Sequence, residues 1–135
     1  METMRPRVIP VMLIDDRYVV KTTAFRKPRY VGDPVNTVKL FNEKQADELV
    51  VLDITRSKRG LGPDFAFIED LASEAFMPIA YGGAVTSLAD VERLVSLGVE
   101  KVVLDSSLGR AEFTGEVARK FGSQAVIANI NVRSR

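Results

Sequence analysis

Apolar residues along the chain fall into two alternating rhythms. Val8-Ile9-Pro10-Val11-Met12-Leu13-Ile14 is a short, nearly continuous apolar run, the pattern of a strand covered on both faces. Tyr18-Val19-Val20-Lys21 is a second short strand, paired with the first in a hairpin across Asp15-Asp16-Arg17. Gly32-Asp33-Pro34 opens a helix, with Asp33 as N-cap and Pro34 at the first helical position. Val35, Val38, Leu40 and Phe41 approximate its apolar stripe. Glu48 to Ile54 reads as a buried strand, and Asp64 to Phe76 as a helix turning Phe67, Ile68, Leu71 and Ala75 inward. Pro78-Ile79-Ala80-Tyr81 is the next strand and runs into Gly82-Gly83. Ser87-Leu88-Ala89-Asp90 has capping-box spacing, with Asp in place of the commoner Glu. The helix it starts buries Val91, Leu94 and Val95 and stops at Gly98. Lys101 to Asp105 is another strand, Glu112 to Phe121 a helix closed by Gly122, and Ala125 to Ala128 begins a last strand.

Strands alternating with helices imply β/α units on a parallel sheet. The motif E-L-V-V-L-D at Glu48–Asp53 recurs as E-K-V-V-L-D at Glu100–Asp105, 52 residues on. That spacing is two β/α units, and a βαβα module used twice suits half of an eight-fold barrel. A five-stranded flavodoxin-like sheet shares the count and the alternation, so pattern gives the barrel only an edge.

A length of 135 residues suits one domain, taken as residues 1–135. A net charge of +1 gives no pull toward nucleic acid or an anionic membrane. There is no Cys and no His, so disulfides, thiolate chemistry and the usual metal ligand and neutral-pH base are excluded. Any proton transfer falls to Asp, Glu, Lys or Tyr, and neither a metal nor a cofactor is expected. The start of the chain, Met1 to Arg7, lacks the apolar core of a signal peptide. No apolar run approaches the ~20 residues of a membrane span, and a cytoplasmic protein is expected.

Parallel β/α folds bind ligands at the C-terminal ends of their strands. Those ends carry Leu13 to Asp16, Asp53, Gly82-Gly83, Asp105-Ser106 and Asn131. Glycines at Gly82-Gly83 allow backbone N–H groups to approach a phosphate, or they simply make a tight turn. Ser106 and Ser107 add hydroxyl donors. Asp53 and Asp105, at equivalent strand ends, suit a substrate hydroxyl or proton transfer, and equally the capping of the loops that follow. Lys21 can reach over the sheet end to an anion, or be a solvated lysine. The basic loop Arg56-Ser57-Lys58-Arg59-Gly60 reads as solvated more readily than as a phosphate clamp.

Several linked blocks then resemble one family. Arg7-Val8-Ile9-Pro10, Val19-Val20-Lys21, Gly32-Asp33-Pro34, Asp47 to Ile54, Gly82-Gly83 and Phe121-Gly122-Ser123-Gln124-Ala125-Val126 are similar, in order and spacing, to HisF, the synthase subunit of imidazole glycerol phosphate synthase. The resemblance covers the whole chain but only about the first half of the family's domain. It implies an N-terminal half of a (β/α)8 TIM barrel, about five parallel strands with four helices. It also implies an ammonia supply from a HisH-like glutaminase, ammonia passage from the N-terminal face, and lyase chemistry on a phosphorylated ribonucleotide at the other face.

The family's acid and base are aspartates ending its first and fifth strands. Leu13 and Asn131 stand in those places here, and losing such a group typically costs roughly 10²–10⁴-fold each. No catalytic residue is therefore assigned, and whether the chain is an enzyme stays open. Lys21, Asp53, Gly82, Gly83, Asp105 and Ser106 match substrate- and phosphate-binding positions, with Ala84 replacing a third Gly and Asp105-Ser106 replacing an Asn-Thr pair. Arg7, Glu48 and Lys101 match three members of the family's charged ammonia gate. Retained gate and altered acid/base pair, with Leu13, Tyr30 to Pro34, Phe41 to Lys44 and Phe76-Met77-Pro78, resemble a diverged HisF-like branch that builds acetamidino sugars for surface polysaccharides. The alternatives are a genuine histidine-pathway cyclase and a non-catalytic half barrel that binds a partner. A half barrel exposes strand edges and an apolar interior, so self-association, opening of the sheet or poor folding is expected.

Overall fold

A computed structural model describes residues 6–21, 29–56, 58–105 and 111–129. The elements are β1 (Val11–Asp15), β2 (Tyr18–Lys21), β3 (Arg29–Gly32), α1 (Pro34–Glu43), β4 (Leu49–Asp53), α2 (Phe65–Glu74), β5 (Ile79–Gly82), α3 (Leu88–Ser96), β6 (Val99–Asp105), α4 (Ala111–Phe121) and β7 (Val126–Asn129), the last preceded by a 3-10 turn at Ser123–Ala125. The strands form one sheet in the order β3-β2-β1-β4-β5-β6-β7. β1, β4, β5, β6 and β7 run parallel, and β2 and β3 add an antiparallel ribbon at one edge.

That order separates the two candidate architectures. A doubly wound sheet reverses direction at a switch point, placing helices on both faces. Here every parallel strand lies beside the one before it, so successive right-handed crossovers step the same way and lay their helices on one face. The burial follows. Met12, Ile14, Leu49, Val51, Ile79, Tyr81, Val102 and Leu104 are buried with Val38, Phe67, Ile68, Leu71, Val91, Leu94 and Val117 of the helices. The register places Val11, Leu13, Val50, Leu52, Gly82, Val103 and Ile127 on the opposite face. Adjacent residues of β1 show the contrast: Met12 is 2% exposed and Val11 56%. The architecture is a half barrel, with helices outside and the lumen face open.

The helix starts are built as their cap residues dictate. The Asp33 carboxylate accepts the Asn36 N–H at 3.3 Å, and Pro34 follows at the first helical position. Asp64 accepts the Phe67 N–H, and the Ser87 hydroxyl accepts the Asp90 N–H at 3.1 Å. Asp90 reaches back to the Thr86 N–H at 3.2 Å, one residue earlier than the usual partner in a capping box. The hairpin turns on Asp16 and Arg17, both at positive φ (50° and 68°), as a two-residue hairpin turn of the primed type requires.

Some expectations are corrected. β3 was not anticipated: its pairing partner is β2, and no local apolar rhythm marks it. Leu40 and Val95 lie on the solvent side of α1 and α3 rather than in their stripes. α2 stops at Glu74, with Ala75 already extended, so Phe76 is outside the helix. The repeated motif is not structurally equivalent. Ile79 pairs with Val99 but Ala80 with Lys101, so Glu100 is an extra residue in β6. Leu52, Gly82 and Val103 are therefore level, and Asp53 sits one step short of Asp105 rather than at its height.

Candidate functional site

At the N-terminal end of the sheet Glu48 lies between two cations. Its Oε2 accepts from the Arg7 guanidinium at 2.9 Å, and its Oε1 accepts from Lys101 Nζ at 2.9 Å. The backbone explains how three residues so distant in sequence meet. Asp47 clips the chain ahead of β1, its N–H donating to Val8 O at 2.9 Å and its carboxylate accepting the Val8 N–H at 2.7 Å. That clip sets Arg7 beside Glu48. Lys101 lies two strands from Val50, and the intervening β5 offers only Ala80 at that level. Two strand spacings are roughly 10 Å, a gap that Lys and Glu side chains bridge over a methyl group. The Glu48 side chain is 14% exposed, Lys101 29% and Arg7 66%. The trio thus grades from solvent toward the lumen and carries one net positive charge. All three gate residues matched by resemblance are brought together.

The C-terminal end holds the other candidates. Asp53 is buried, and its Oδ1 accepts the Thr55 N–H (3.0 Å), the Thr55 hydroxyl (3.1 Å) and the Arg56 N–H (3.1 Å). This is an Asx-type cap on the following loop. Gly83, at φ 134°, packs directly on it: a Cβ there would lie 2.7 Å from Asp53 O and 2.9 Å from Asp53 Cβ. At Gly82 a Cβ would lie 2.8 Å from Val103 Cβ. Close packing thus requires both glycines, ligand or no ligand. Ala84 follows at φ 59°, a left-handed conformation that suits glycine.

The Tyr81 hydroxyl donates to Gly83 O at 3.0 Å. Burial, with the Asp53 carboxylate adding to it, pushes the phenol well above its ordinary pKa, so Tyr81 stays a neutral donor. Leu13 lies level with Leu52 and Val20, half-buried and without a group that can carry a proton. Lys21 is exposed at the end of β2, next to Val20. Asp105 ends β6 with its backbone paired to Asn129. Ser106, Ser107 and Asn131 lie outside the described residues.

The basic loop after β4 is tied to the protein itself. Arg56 Nε donates to Gly62 O at 2.8 Å, and Arg59 stands 3.6 Å from Asp16. A cleft of about 220 Å³ opens between this loop and the one after β5, lined by Gly60, Leu61, Gly62, Ala84 and Thr86. Sequence reasoning gave no role to Asp47, which positions Arg7, or to Arg17, which ties the hairpin to Asp64. Both act over more than thirty positions, where no local spacing signals them. Among the described residues no helix is long and apolar enough to cross a membrane.

The profile of a family described as "Histidine biosynthesis protein" matches residues 7–135. A Pseudomonas aeruginosa protein described as "Putative imidazole glycerol phosphate synthase subunit hisF2" is 46% identical over 131 residues, covering 96% of this chain and 52% of the relative. A Vibrio vulnificus relative described as "Putative imidazole glycerol phosphate synthase subunit hisF3" is 44% identical, covering 98% of this chain and 51% of its own length. The imidazole glycerol phosphate synthase subunit HisF of Corynebacterium glutamicum is 38% identical, covering 94% and 50%. The chain spans about half the length of these curated relatives. With its one-directional half barrel, the chain belongs to the histidine-biosynthesis protein family, a TIM-barrel family, and is HisF-like along its length.

Proposed function

We propose that this chain is the ammonia-receiving half of a HisF-like subunit that takes ammonia from a HisH-like glutaminase, in the diverged branch that adds acetamidino groups to surface sugars. The observation that carries the reading is Glu48 held between Arg7 and Lys101 at the N-terminal mouth of the half barrel. One net positive charge there disfavours ammonium and leaves neutral ammonia unopposed. Beyond the trio the lumen face presents Val11, Leu13, Val50, Leu52 and Val103, an apolar lining that a neutral molecule crosses at far lower cost than an ion.

Leu13 at the far end supports the diverged branch, because an alkyl side chain can neither donate nor take the proton that cyclisation requires. In this reading the barrel conducts ammonia and holds the next protein. Lys21, Asp53, Gly82, Gly83, Asp105 and Ser106 remain the proposed border of a phosphorylated ligand, with Asp105 weakening phosphate binding by charge.

The test supplies the subunit carrying this chain with the ribonucleotide substrate and ammonium salt. No imidazole glycerol phosphate above background is expected. Robust turnover would return the function to the histidine-pathway cyclase. In a second assay the chain should alter the activity of the HisH-type glutaminase of the same genome. A glutaminase indifferent to it would sink the conduit.

A further inference from the structure

Among the described residues the buried charged side chains are Asp53 and Asp15. Asp53 caps the loop after β4. Asp15 has no place yet in the functional reading, and its position is specific. β1 sends Met12 and Ile14 to the helices and Val11 and Leu13 to the lumen, so alternation puts Asp15 on the lumen side. Two residues of strand are roughly 7 Å, which sets this carboxylate one pleat farther out than Leu13. It is the first ionisable side chain that β1 presents to the lumen. Asp15 is 9% exposed, whereas Val11 on the same side is 56% exposed.

The turn that follows Asp15 is held down at several points. Asp15 closes the hairpin opposite Tyr18. The Asp16 N–H donates to Thr55 Oγ1 at 3.4 Å, and the Asp16 carboxylate stands 3.6 Å from Arg59. Arg17 binds Asp64 at 2.8 and 2.9 Å. Asp16 and Arg17 both sit at positive φ, where glycine is the easy choice. Arg17 is the costlier of the two, because it lacks the short polar side chain that eases Asp into that conformation. Backbone kept in such a conformation by its surroundings clusters at functional sites. Here the glycine is forgone and the hairpin is locked beside a shielded carboxylate.

The lumen face thus differs in sign between its ends. The Arg7–Glu48–Lys101 trio at the N-terminal mouth is net positive, and Asp15 at the other end is negative. We propose that Asp15 is an ammonium site at the outlet of the ammonia path. Ammonia that has crossed the apolar lining takes up a proton on meeting water, and a shielded carboxylate then accepts its N–H bonds. The cation is opposed at entry and retained at exit. Arg17 is a positioning residue, acting through the turn. This rests on the functional reading above and adds to it the group that receives the nitrogen.

The experiment uses the subunit carrying this chain, labelled with 13C at aspartate carboxyls. Ammonium chloride replaces sodium chloride at constant ionic strength and pH, and NMR follows the Asp15 carboxyl signal and the relaxation of 15N-ammonium. The Asp15 signal should move saturably with ammonium. Asp15→Asn, close to isosteric, should raise the ammonium Kd about tenfold or more at an unchanged melting temperature. Arg17→Gly suits the turn but releases Asp64, and should weaken binding several-fold; Arg17→Lys should recover part of it. A wild-type signal that does not respond to ammonium overturns the site, whether or not the variants fold. Equal relaxation of ammonium by wild type and Asp15→Asn overturns it too. Methylammonium binding more tightly than ammonium would also overturn it, marking a pocket for a substrate amine. A glutaminase indifferent to the subunit would sink the conduit while leaving the ammonium titration as it is, so the two failures are distinct.

Discussion

Arg17, at the tip of the first hairpin, grips Asp64, the N-cap of α2, through two hydrogen bonds of 2.8 and 2.9 Å. The pair ties the β1–β2 hairpin to the C-terminal end of the sheet. The guanidinium holds the Asp64 carboxyl below its ordinary pKa, and the Phe67 N–H adds to the effect. A depressed carboxyl stabilises the fold above its unfolded pKa of about 3.9 and loses that contribution as pH falls through its folded value. Asp64→Asn keeps a capping oxygen but removes the charge, so its urea midpoint should fall less steeply than the wild type's as the pH drops below about 4. Asp64→Ala loses the cap as well and should cost about 1 kcal/mol at neutral pH. Identical acid profiles for wild type and Asp64→Asn would show that the pair contributes nothing.

Ala84 occupies a left-handed conformation that costs a non-glycine residue roughly 1–2 kcal/mol. Ala84→Gly relieves it but adds about 0.5–1 kcal/mol of unfolded-state entropy. A net gain of roughly 0.5–1 kcal/mol is expected, read as a higher urea midpoint at unchanged m-value. A drop in midpoint would mean that the Ala84 methyl packs usefully.

Met12 and Val11 are neighbours facing opposite ways. Met12→Ala should cost about 2–5 kcal/mol, because it opens a cavity among side chains that cannot collapse. Val11→Ala should cost well under about 1 kcal/mol in the monomer. The open lumen face also predicts that these 135 residues, expressed alone, self-associate through it. Light scattering should show a mass rising with concentration, and Val11→Asp with Val103→Asp should restore the monomer. A strictly monomeric wild type would show that the face tolerates water.

Glu48→Gln removes the charge shared by two ion pairs. The Arg7 pair is exposed and worth little, but Glu48 and Lys101 are largely shielded, so the loss of stability should be about 1–3 kcal/mol. The functional effect should be larger: two uncompensated cations at the mouth should lower glutamine-dependent product formation while leaving activity with added ammonium salt intact. Equal losses with both nitrogen sources would place Glu48 outside the ammonia path.

What the sequence made legible is what local chemistry decides. Asp33-Pro34 and Ser87 cap their helices because a side-chain oxygen and its N–H targets are three residues apart. The buried strands were readable from β-branched runs, and the parallel series from their alternation with helices. What escaped depends on contacts remote in sequence. β3 exists only against β2, and the Asn42 side chain, which donates to Glu74 O and accepts the Phe76 N–H, reaches across 32 and 34 positions. Asp53 is a local case: of its two readings, a substrate group or a cap on the following loop, the structure shows one oxygen enlisted by Thr55 and Arg56, two and three residues on. Arg7, Glu48 and Lys101 could be named by resemblance, yet their meeting depends on the Asp47 clip and on a small residue at Ala80.

The extra residue in β6 has an electrostatic consequence. With Ile79 against Val99, unbroken pairing would set Glu100 beside Ala80, on the face that carries Glu48. The added position moves Glu100 out and brings Lys101 in. Odd and even positions of a strand are its two sides, so the strand's parity decides whether Glu48 meets a like charge or an opposite one. The sign of the interaction at the mouth is written in the chain as a matter of counting, and a slip of one residue would reverse it with every amino acid unchanged.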